Sequence, residues 1–540
     1  MKRPSAIRMA HLAGTALLCL VLAGYWIYVD WLRPFPSHLS RYDPQMPYLL
    51  NSLAIFKSQP YMYYDHPGTP LEVMGTFLLA AMRFFAGASS EDYWVMILRE
   101  PEGFLRLAHG LLTLGSLVCV VLICQKATKI GGWGDLTVAF AAASAFFGFF
   151  PPLAFGTLAI WSHNSFNFAA GTLLLVLLLI RLRSGKPLEA WEAWSFGIGA
   201  GALTSVQLYF GTWVIGILIA LVSFVILEER ARLKPLWTAI RVLIGAMLGF
   251  LLATGPILHK YRELSWWVRR LILHQGRYGG GPGGVTSIGQ LAENLEGLWR
   301  EGSRPLTLMG LSMLLLLAAM VVKRTRRLEA RGWWAMSVAM SAQIILAFLL
   351  VAKHPGGTYL MSLVAVSPIV LLLSLDILGR VQRGLAMAVS LTVLGAFLQG
   401  FGQSLQGHEQ TREYFMGLES EIQDQIGRIA EEEEKAPELV AVLWGYGAPS
   451  HCYALRFGDV YTGGLFRREI DELCPKEWMF DVWSEKAVLP SGVASLHESS
   501  EWDVLVVPAA FAPSMRAGVG EIVASQDGSL LFLLPLTPGQ

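Results

Sequence analysis

RYDPQMPYLLNSLAIFKSQPYMYYDHPGTP, residues 41–70, sits between an apolar run at 9–29 and a long series of further apolar runs. Within 30 residues it holds two Asp, one His, five Tyr and five Pro. Prolines set turns, aromatic side chains suit the water–membrane boundary, and ionisable groups close to a bilayer are costly unless they work or pair. The stretch therefore reads as a structured surface loop and a candidate site, and the chain around it as a membrane protein.

Composition agrees with that reading. Of the 540 residues 54% are apolar and 15% charged, which is the balance of a polytopic membrane protein. The formal net charge of +1 gives no global field for nucleic acid, so the position of each cation matters more than the total. The first 29 residues pair a basic start with an apolar run long enough to span, and Trp26, Tyr28 and Trp31 follow as an interfacial belt. This argues for an uncleaved first span over a signal peptide.

Apolar runs at 9–29, 104–125, 135–155, 165–181, 193–209, 212–228, 239–259, 305–322, 333–352, 357–378 and 384–402 predict eleven spans. With the N-terminus cytoplasmic, Lys126, Lys129, Arg181, Arg183, Lys186, Arg230, Arg232, Lys234, Lys323 to Arg331, Arg380 and Arg383 all fall inside. The opposite short turns, near Trp161 to Ser165 and Leu208 to Gly211, carry no Lys or Arg. A full crossing by residues 70–88 would put those basic loops outside, so that segment is expected to be a juxtamembrane or half-inserted helix. The same logic makes 193–228 a tight hairpin. Three polar regions then face out: Asp30 to Gly103, His259 to Arg304, and the chain beyond about Gln403.

The fold class expected is mainly α, a polytopic membrane helical bundle over 1–402 with outer-face juxtamembrane helices and a small extracytoplasmic α/β domain over 403–540. Within the latter, a helical HEQTREYFMGLESEIQDQIGRIAEEEEK precedes strand-like LVAVLWG, DVLVVPA and LLFLLPL. Cys19, Cys119 and Cys124 lie in apolar runs, whereas Cys452 and Cys474 are candidates for a disulfide if their segment is extracytoplasmic.

Several groups offer chemistry. Asp43 is either a helix cap beside Pro44 or a general base facing a hydroxyl from the aqueous side. Asp65 and His66 precede a Pro-Gly turn, and His66 can hold a phosphate, orient an acid, or bond its own loop. The loop that opens at His259 interleaves Lys260, Arg262, Arg269, Arg270 and Arg277 with Tyr261, Trp266, Trp267 and Tyr278. That pattern suits a helix in the interface with cations at phosphate level, either simply anchored or holding a phosphorylated lipid. His274, Arg277 and Tyr278 run into GGGPGG, a lid or a place for close backbone approach. Lys353, His354 and Tyr359 occupy a third outer turn, where snorkelling and function both fit. No HxxxH, CxxC, Walker A or GxSxG pattern occurs, and Gly279, Gly281 and Gly284 fit GxGxxG without the strand such a motif needs.

This layout resembles the integral-membrane GT-C glycosyltransferases, in particular the branch of protein mannosyltransferases and lipid A aminoarabinose transferases. The resemblance covers roughly residues 9–402 and rests on an acid after the first span, the His66-Pro67-Gly68-Thr69-Pro70 turn, the basic loop Lys260 to Tyr278, and the late His354, Tyr359, Pro368 pattern. It implies an inverting transfer from a polyprenyl-phosphate sugar to a lipid, glycan or protein acceptor on the extracytoplasmic face. Asp43 would be the base, and Lys260, Arg277 and His354 would stabilise the departing phosphate. No cofactor is implied with certainty, and metal dependence stays open. Two departures stand out: Asp43 is followed by Pro44 where many relatives have a second acid, and Trp161-Ser162-His163-Asn164 stands where many carry an acidic turn, so that either His163 or Asn164 is its substitute or the acceptor is positioned differently. The localisation implied is a bacterial inner membrane. A lipid or glycan transporter and a non-catalytic membrane scaffold are the competing readings.

Overall fold

The structure is a computed structural model. It describes residues 4–34, 36–40, 42–60, 68–87, 90–127, 141–145, 151–158, 160–228, 233–274, 288–297, 328–353, 361–381, 383–432, 440–443, 451–474, 477–481, 486–489, 492–495, 504–508, 519–524 and 530–535, and positions 62, 147, 283, 284 and 310. Contacts divide the chain into two units: Met1–Val29, Tyr64–Leu71 and His109–Gln406 form the first, and Asp30–Tyr63, Glu72–Ala108 and Gly407–Gln540 the second.

The chain is mainly α-helical and an integral membrane protein: eight described helices are long and apolar enough to cross a bilayer. The helices used below are α1 (Pro4–Ile27), α2 (Tyr42–Phe56), α3 (Thr69–Ala86), α4 (Pro101–Ala127), α5 (His163–Arg183), α6 (Ala190–Val206), α7 (Gly211–Glu228), α8 (Lys234–Ala253), α9 (Tyr261–Leu273), α10 (Leu328–Lys353), α11 (Ser367–Val381) and α12 (Arg383–Glu432). About half of the span expected at 135–155, and all but position 310 of the one expected at 305–322, lie outside the described residues. The span expected at 357–378 is broken: a short helix Met361–Val364 ends before α11, and residues 354–360 lie outside the described residues. The hairpin expected at 193–228 is present as α6, a 3-10 turn Leu208–Phe210, and α7. Helix α3 meets the length and apolarity of a span, and its Phe77, Phe84 and Phe85 are exposed.

In the first unit, aromatic rings from separate helices fill the core. Phe155 lies 5.0 Å from Tyr25, 4.9 Å from Phe147 and 5.9 Å from Phe397, centroid to centroid. Inside a membrane, apolar burial adds little beyond what lipid offers, so helix pairs depend on close backbone approach through small residues. Helices α6 and α8 are such a pair, with Gly197 and Gly201 on one and Gly245 and Gly249 on the other, each pair spaced GxxxG. A Cβ on Gly245 would stand 2.8 Å from the Trp194 carbonyl, and Cβ atoms on Gly201 and Gly249 would collide with the carbonyls of Ala246 and Ile198. Backbone cannot yield as a side chain can. Gly201→Leu is therefore expected to lower stability by at least about 3 kcal/mol, the upper end of overpacking costs. Gly395→Ala, where a Cβ meets nothing within 4 Å, should not. Thermal unfolding of both variants in nanodiscs checks this, and equal midpoints would refute the close packing.

Of the basic residues expected inside, the two in the last turn of α5 form ion pairs. Arg183 Nη1 lies 2.9 Å from the buried carboxylate of Asp376, and Arg181 holds Glu192 in a two-pronged contact.

Helix α12 is one helix of 50 residues, about 75 Å long at 1.5 Å per residue; it belongs to the first unit up to Gln406 and to the second from Gly407. The last apolar run and the polar helix expected after it are thus continuous. Beyond it the described residues form seven strands: β1 (Val440–Leu443), β2 (Glu477–Asp481), β3 (Lys486–Leu489), β4 (Gly492–Ser495), β5 (Val504–Pro508), β6 (Val519–Ala524) and β7 (Leu530–Pro535). They form one sheet in the order β4-β3-β2-β1-β5-β7-β6, with β1 parallel to β2 and β5 and the other pairs antiparallel. The three strands expected from sequence are β1, β5 and β7. The parallel β1–β2 step needs a crossover, which α13 (His451–Val460) and α14 (Arg467–Leu473) supply. Cys452 and Cys474 clasp that crossover as a disulfide with Cα atoms 5.7 Å apart. Buried Arg456 sits inside the clasp, donating to the Cys474 carbonyl at 2.8 Å and pairing with Asp471 at 2.5 Å.

Candidate functional site

In the first unit, three polar turns come together at the ends of apolar helices. Ser162 caps α5: its hydroxyl accepts from the Asn164 amide at 3.3 Å, and its own amide donates to Ser165 Oγ at 3.2 Å, closing a capping box. The turn is fixed from α4 as well, because Thr113 Oγ1 donates to the Leu158 carbonyl and Ser116 Oγ to that of Ser165. From α5, the Asn167 amide nitrogen reaches the Leu203 carbonyl of α6 at 3.1 Å. At the end of α6, the Val206 carbonyl accepts the Gly68 N–H at 3.3 Å. Gly68 belongs to the His-Pro-Gly turn and sits at φ 47°, in the left-handed region that glycine tolerates without strain.

Of the residues singled out from sequence, this cluster includes His163, half-buried at the first position of α5, and Asn164, buried beside it. Asp65 and His66 lie outside the described residues, two to three positions before Gly68. Sequence reading missed Asn167 and Gln207, both buried. The available signal was an amide one turn beyond Asn164 on a helix that is otherwise largely apolar.

The second feature of this unit is the 3-10 segment Gly255–Lys260 followed by α9. Leu264 and Trp267 are buried, while Trp266, Arg262 and Arg269 are exposed. The Arg270 guanidinium stacks 4.6 Å from the Trp266 ring centre, a cation–π contact. Lys260 Nζ stands 3.8 Å from Glu263. An exposed aromatic and cationic face opposite a buried stripe is the pattern of an interfacial helix. Immediately after α9, His274 forms an antiparallel bridge with Gly283, and the Gly284 N–H donates to the Leu273 carbonyl at 2.6 Å. Residues 275–282 stand between them in sequence. Arg277 and Tyr278 belong to that segment and, like His354 and Tyr359, lie outside the described residues; Lys353 is the last residue of α10.

In the second unit, Asp43 is the second residue of α2. Sequence placed it just before the helix, with Pro44 first; the helix instead begins at Tyr42 and passes through Pro44 and Pro47. Pro47 has no N–H, so it cannot donate to the Asp43 carbonyl one turn back. Helix α2 is buried on nearly every side: Met46, Tyr48, Leu49, Leu50, Leu53, Gln45, Asn51 and Ser52 all have no exposed surface. It packs on α13, where a Cβ on Gly458 would fall 2.8 Å from the backbone carbon of Met46. After α2, Lys57 Nζ lies 3.7 Å over the Trp94 ring and 3.9 Å from Glu469. Burial shifts two groups here towards their neutral forms. His38 is pushed down to about 4 by burial and then by the neighbouring His451, and burial raises Asp459 although Thr462 and the Phe466 amide bond its carboxylate. Among the described residues, the one cluster with metal-ligand geometry is His451, Cys452 and Cys474, and its two sulfurs are already bonded to each other.

Neither protein-family profiles nor curated proteins match this sequence. Among solved structures the chain is similar to the archaeal oligosaccharyltransferase AglB from Archaeoglobus fulgidus in complex with an inhibitory peptide and a dolichol-phosphate, at TM-score 0.46 and 12% identity, covering 97% of this chain and 74% of that one. The apo form of the Archaeoglobus fulgidus oligosaccharyltransferase gives TM-score 0.47 and 12% identity over 98% and 75%. ArnT from Cupriavidus metallidurans bound to undecaprenyl phosphate gives TM-score 0.38 and 15% identity over 97% of both chains.

Proposed function

We propose that this chain is a glycosyltransferase of the bacterial inner membrane that moves a sugar from a polyprenyl-phosphate carrier to an acceptor hydroxyl on the extracytoplasmic face. The observation that carries the reading is α9: an amphipathic helix with an exposed aromatic and cationic face, which the sequence continues towards Arg277 and Tyr278. Cations at headgroup depth suit a lipid phosphate and would stabilise charge as it develops on a departing one. The Cys452–Cys474 disulfide supports placing the C-terminal segment in an oxidising, extracytoplasmic compartment, with the N-terminus inside.

In this mechanism Asp43 takes the proton of the acceptor hydroxyl while its oxygen attacks the anomeric carbon. The bond from that carbon to the phosphate oxygen breaks, the electron pair stays on the phosphate, and the anomeric configuration inverts. Lys260, Arg277 and His354 are assigned to the phosphate, with Arg262, His274, Tyr278, Lys353 and Tyr359 as further donors around the carrier. Arg277→Ala is expected to weaken binding of undecaprenyl phosphate about 10- to 100-fold, the worth of one charge-assisted bond, and to leave the acceptor KM unchanged. Titration of the carrier into nanodisc-embedded protein measures this; equal affinity in the variant would remove Arg277 from the site.

A further inference from the structure

Asn164, Asn167 and Gln207 are 6%, 0% and 1% exposed, and they gather where the turns of the first unit meet. Asn167 Nδ2 donates to the Leu203 carbonyl at 3.1 Å, and the backbone N–H of Gln207 reaches the same oxygen at 3.5 Å. Asn164 precedes Asn167 by three residues on α5, which places the two on one side of the helix. Beyond these bonds, Oδ1 of Asn164, Oδ1 of Asn167 and Nε2 of Gln207 have no partner among the described residues. A buried polar atom left without a partner costs about 1–3 kcal/mol. Three such atoms in one cluster mark a place kept for a ligand.

Their chemistry selects the ligand. Two open acceptors and one open donor, all neutral, complement hydroxyl groups, which donate and accept at once. A phosphate offers acceptors only and would face two oxygens, and an acyl chain would leave all three atoms unpaired. We propose that Asn164, Asn167 and Gln207 are specificity-determining residues that hold the hydroxyls of the donor's sugar, and that the sugar presents at least two neighbouring free hydroxyls to them. The inference rests on the transferase reading and extends it from the carrier phosphate to the sugar.

The test uses the full chain in nanodiscs and compares affinity for undecaprenyl phosphate with affinity for undecaprenyl-phosphate-linked glucose, mannose and galactose and their single-deoxy analogues. In the native protein the best hexose should bind at least about 10-fold tighter than the bare carrier, and removing a recognised hydroxyl should cost about 10- to 100-fold. Asn167→Leu and Gln207→Met should abolish that sugar increment while leaving bare-carrier affinity unchanged. Gln207→Met breaks no side-chain bond in the described structure, so it stays readable if Asn167→Leu fails to fold. Variants that keep the increment would overturn the proposal and point to bridging water instead. Carrier binding with no increment in the native protein would also overturn it, yet leave the transferase reading standing; failure of every carrier to bind would remove both.

Discussion

Asp43→Asn is expected to reduce sugar transfer at least about 100-fold, the lower end of what a general base contributes, with insertion and thermal stability unchanged. The substitution separates two roles that sequence alone left open. Asn serves a helix N-terminus about as well as Asp does, so a residue that merely starts α2 would tolerate the change. A base would not, because an amide takes no proton at neutral pH. Transfer measured against the pH profile sharpens the result: the native acid limb should vanish with the activity. Full transfer by the variant would show that Asp43 belongs to the architecture of α2 and not to the reaction.

The second large effect should come from far along the chain. Gly458→Val places a branched side chain where a Cβ already meets the Met46 backbone carbon at 2.8 Å and Leu50 Cδ1 at 3.0 Å. Met46 is three residues from Asp43 on the same helix, and α2 is buried on nearly every side. The variant should displace α2 or part it from α13, costing about 1–3 kcal/mol and most of the transfer activity. Gly417→Ala, at a glycine with open space around it, is the control. Normal activity in Gly458→Val would mean that α13 does not position α2. The expected outcome gives the C-terminal segment of the second unit a definite role, which is to hold the helix that carries the proposed base. Within the same unit, Arg33 before α2 is tied to α12. Arg33 grips Glu409 through two bonds of 3.2 and 3.0 Å, and His408 Nε2 meets the Arg33 carbonyl at 2.9 Å.

Hydropathy and charge made much of this architecture legible before any coordinates. The α6–α7 hairpin follows from basic loops flanking 193–228, and three strands of the sheet are apolar runs bounded by turns. Four strands escaped notice because they are short and carry polar or charged residues, such as Glu477 in β2 and Lys486 in β3, so no period of two stands out. The continuity of α12 escaped for a different reason. Its character changes from apolar to charged near Gln403, which reads as a boundary in composition but is no boundary in hydrogen bonding. The membership of the second unit was also hidden, since Asp30–Tyr63 and Glu72–Ala108 lie about 300 residues or more from the C-terminal segment of their unit, which begins at Gly407. In the candidate site, His163 and Asn164 were legible from their place in a turn free of Lys and Arg. Asn167 and Gln207 were not, because one is a single amide in an apolar run and the other gains meaning only once Leu203 and Val206 bring the turns together.

The central claim concerns what happens to the lipid carrier, and mass spectrometry reads that directly. Protein in nanodiscs would be incubated with a panel of undecaprenyl-phosphate sugars and a mixture of candidate acceptors, and the lipids then extracted. The account predicts that one donor is converted to free undecaprenyl phosphate with an equal amount of glycosylated acceptor, and that Asp43→Asn stops both. Donors that remain intact while crossing from one leaflet to the other would contradict it and make this chain a transporter.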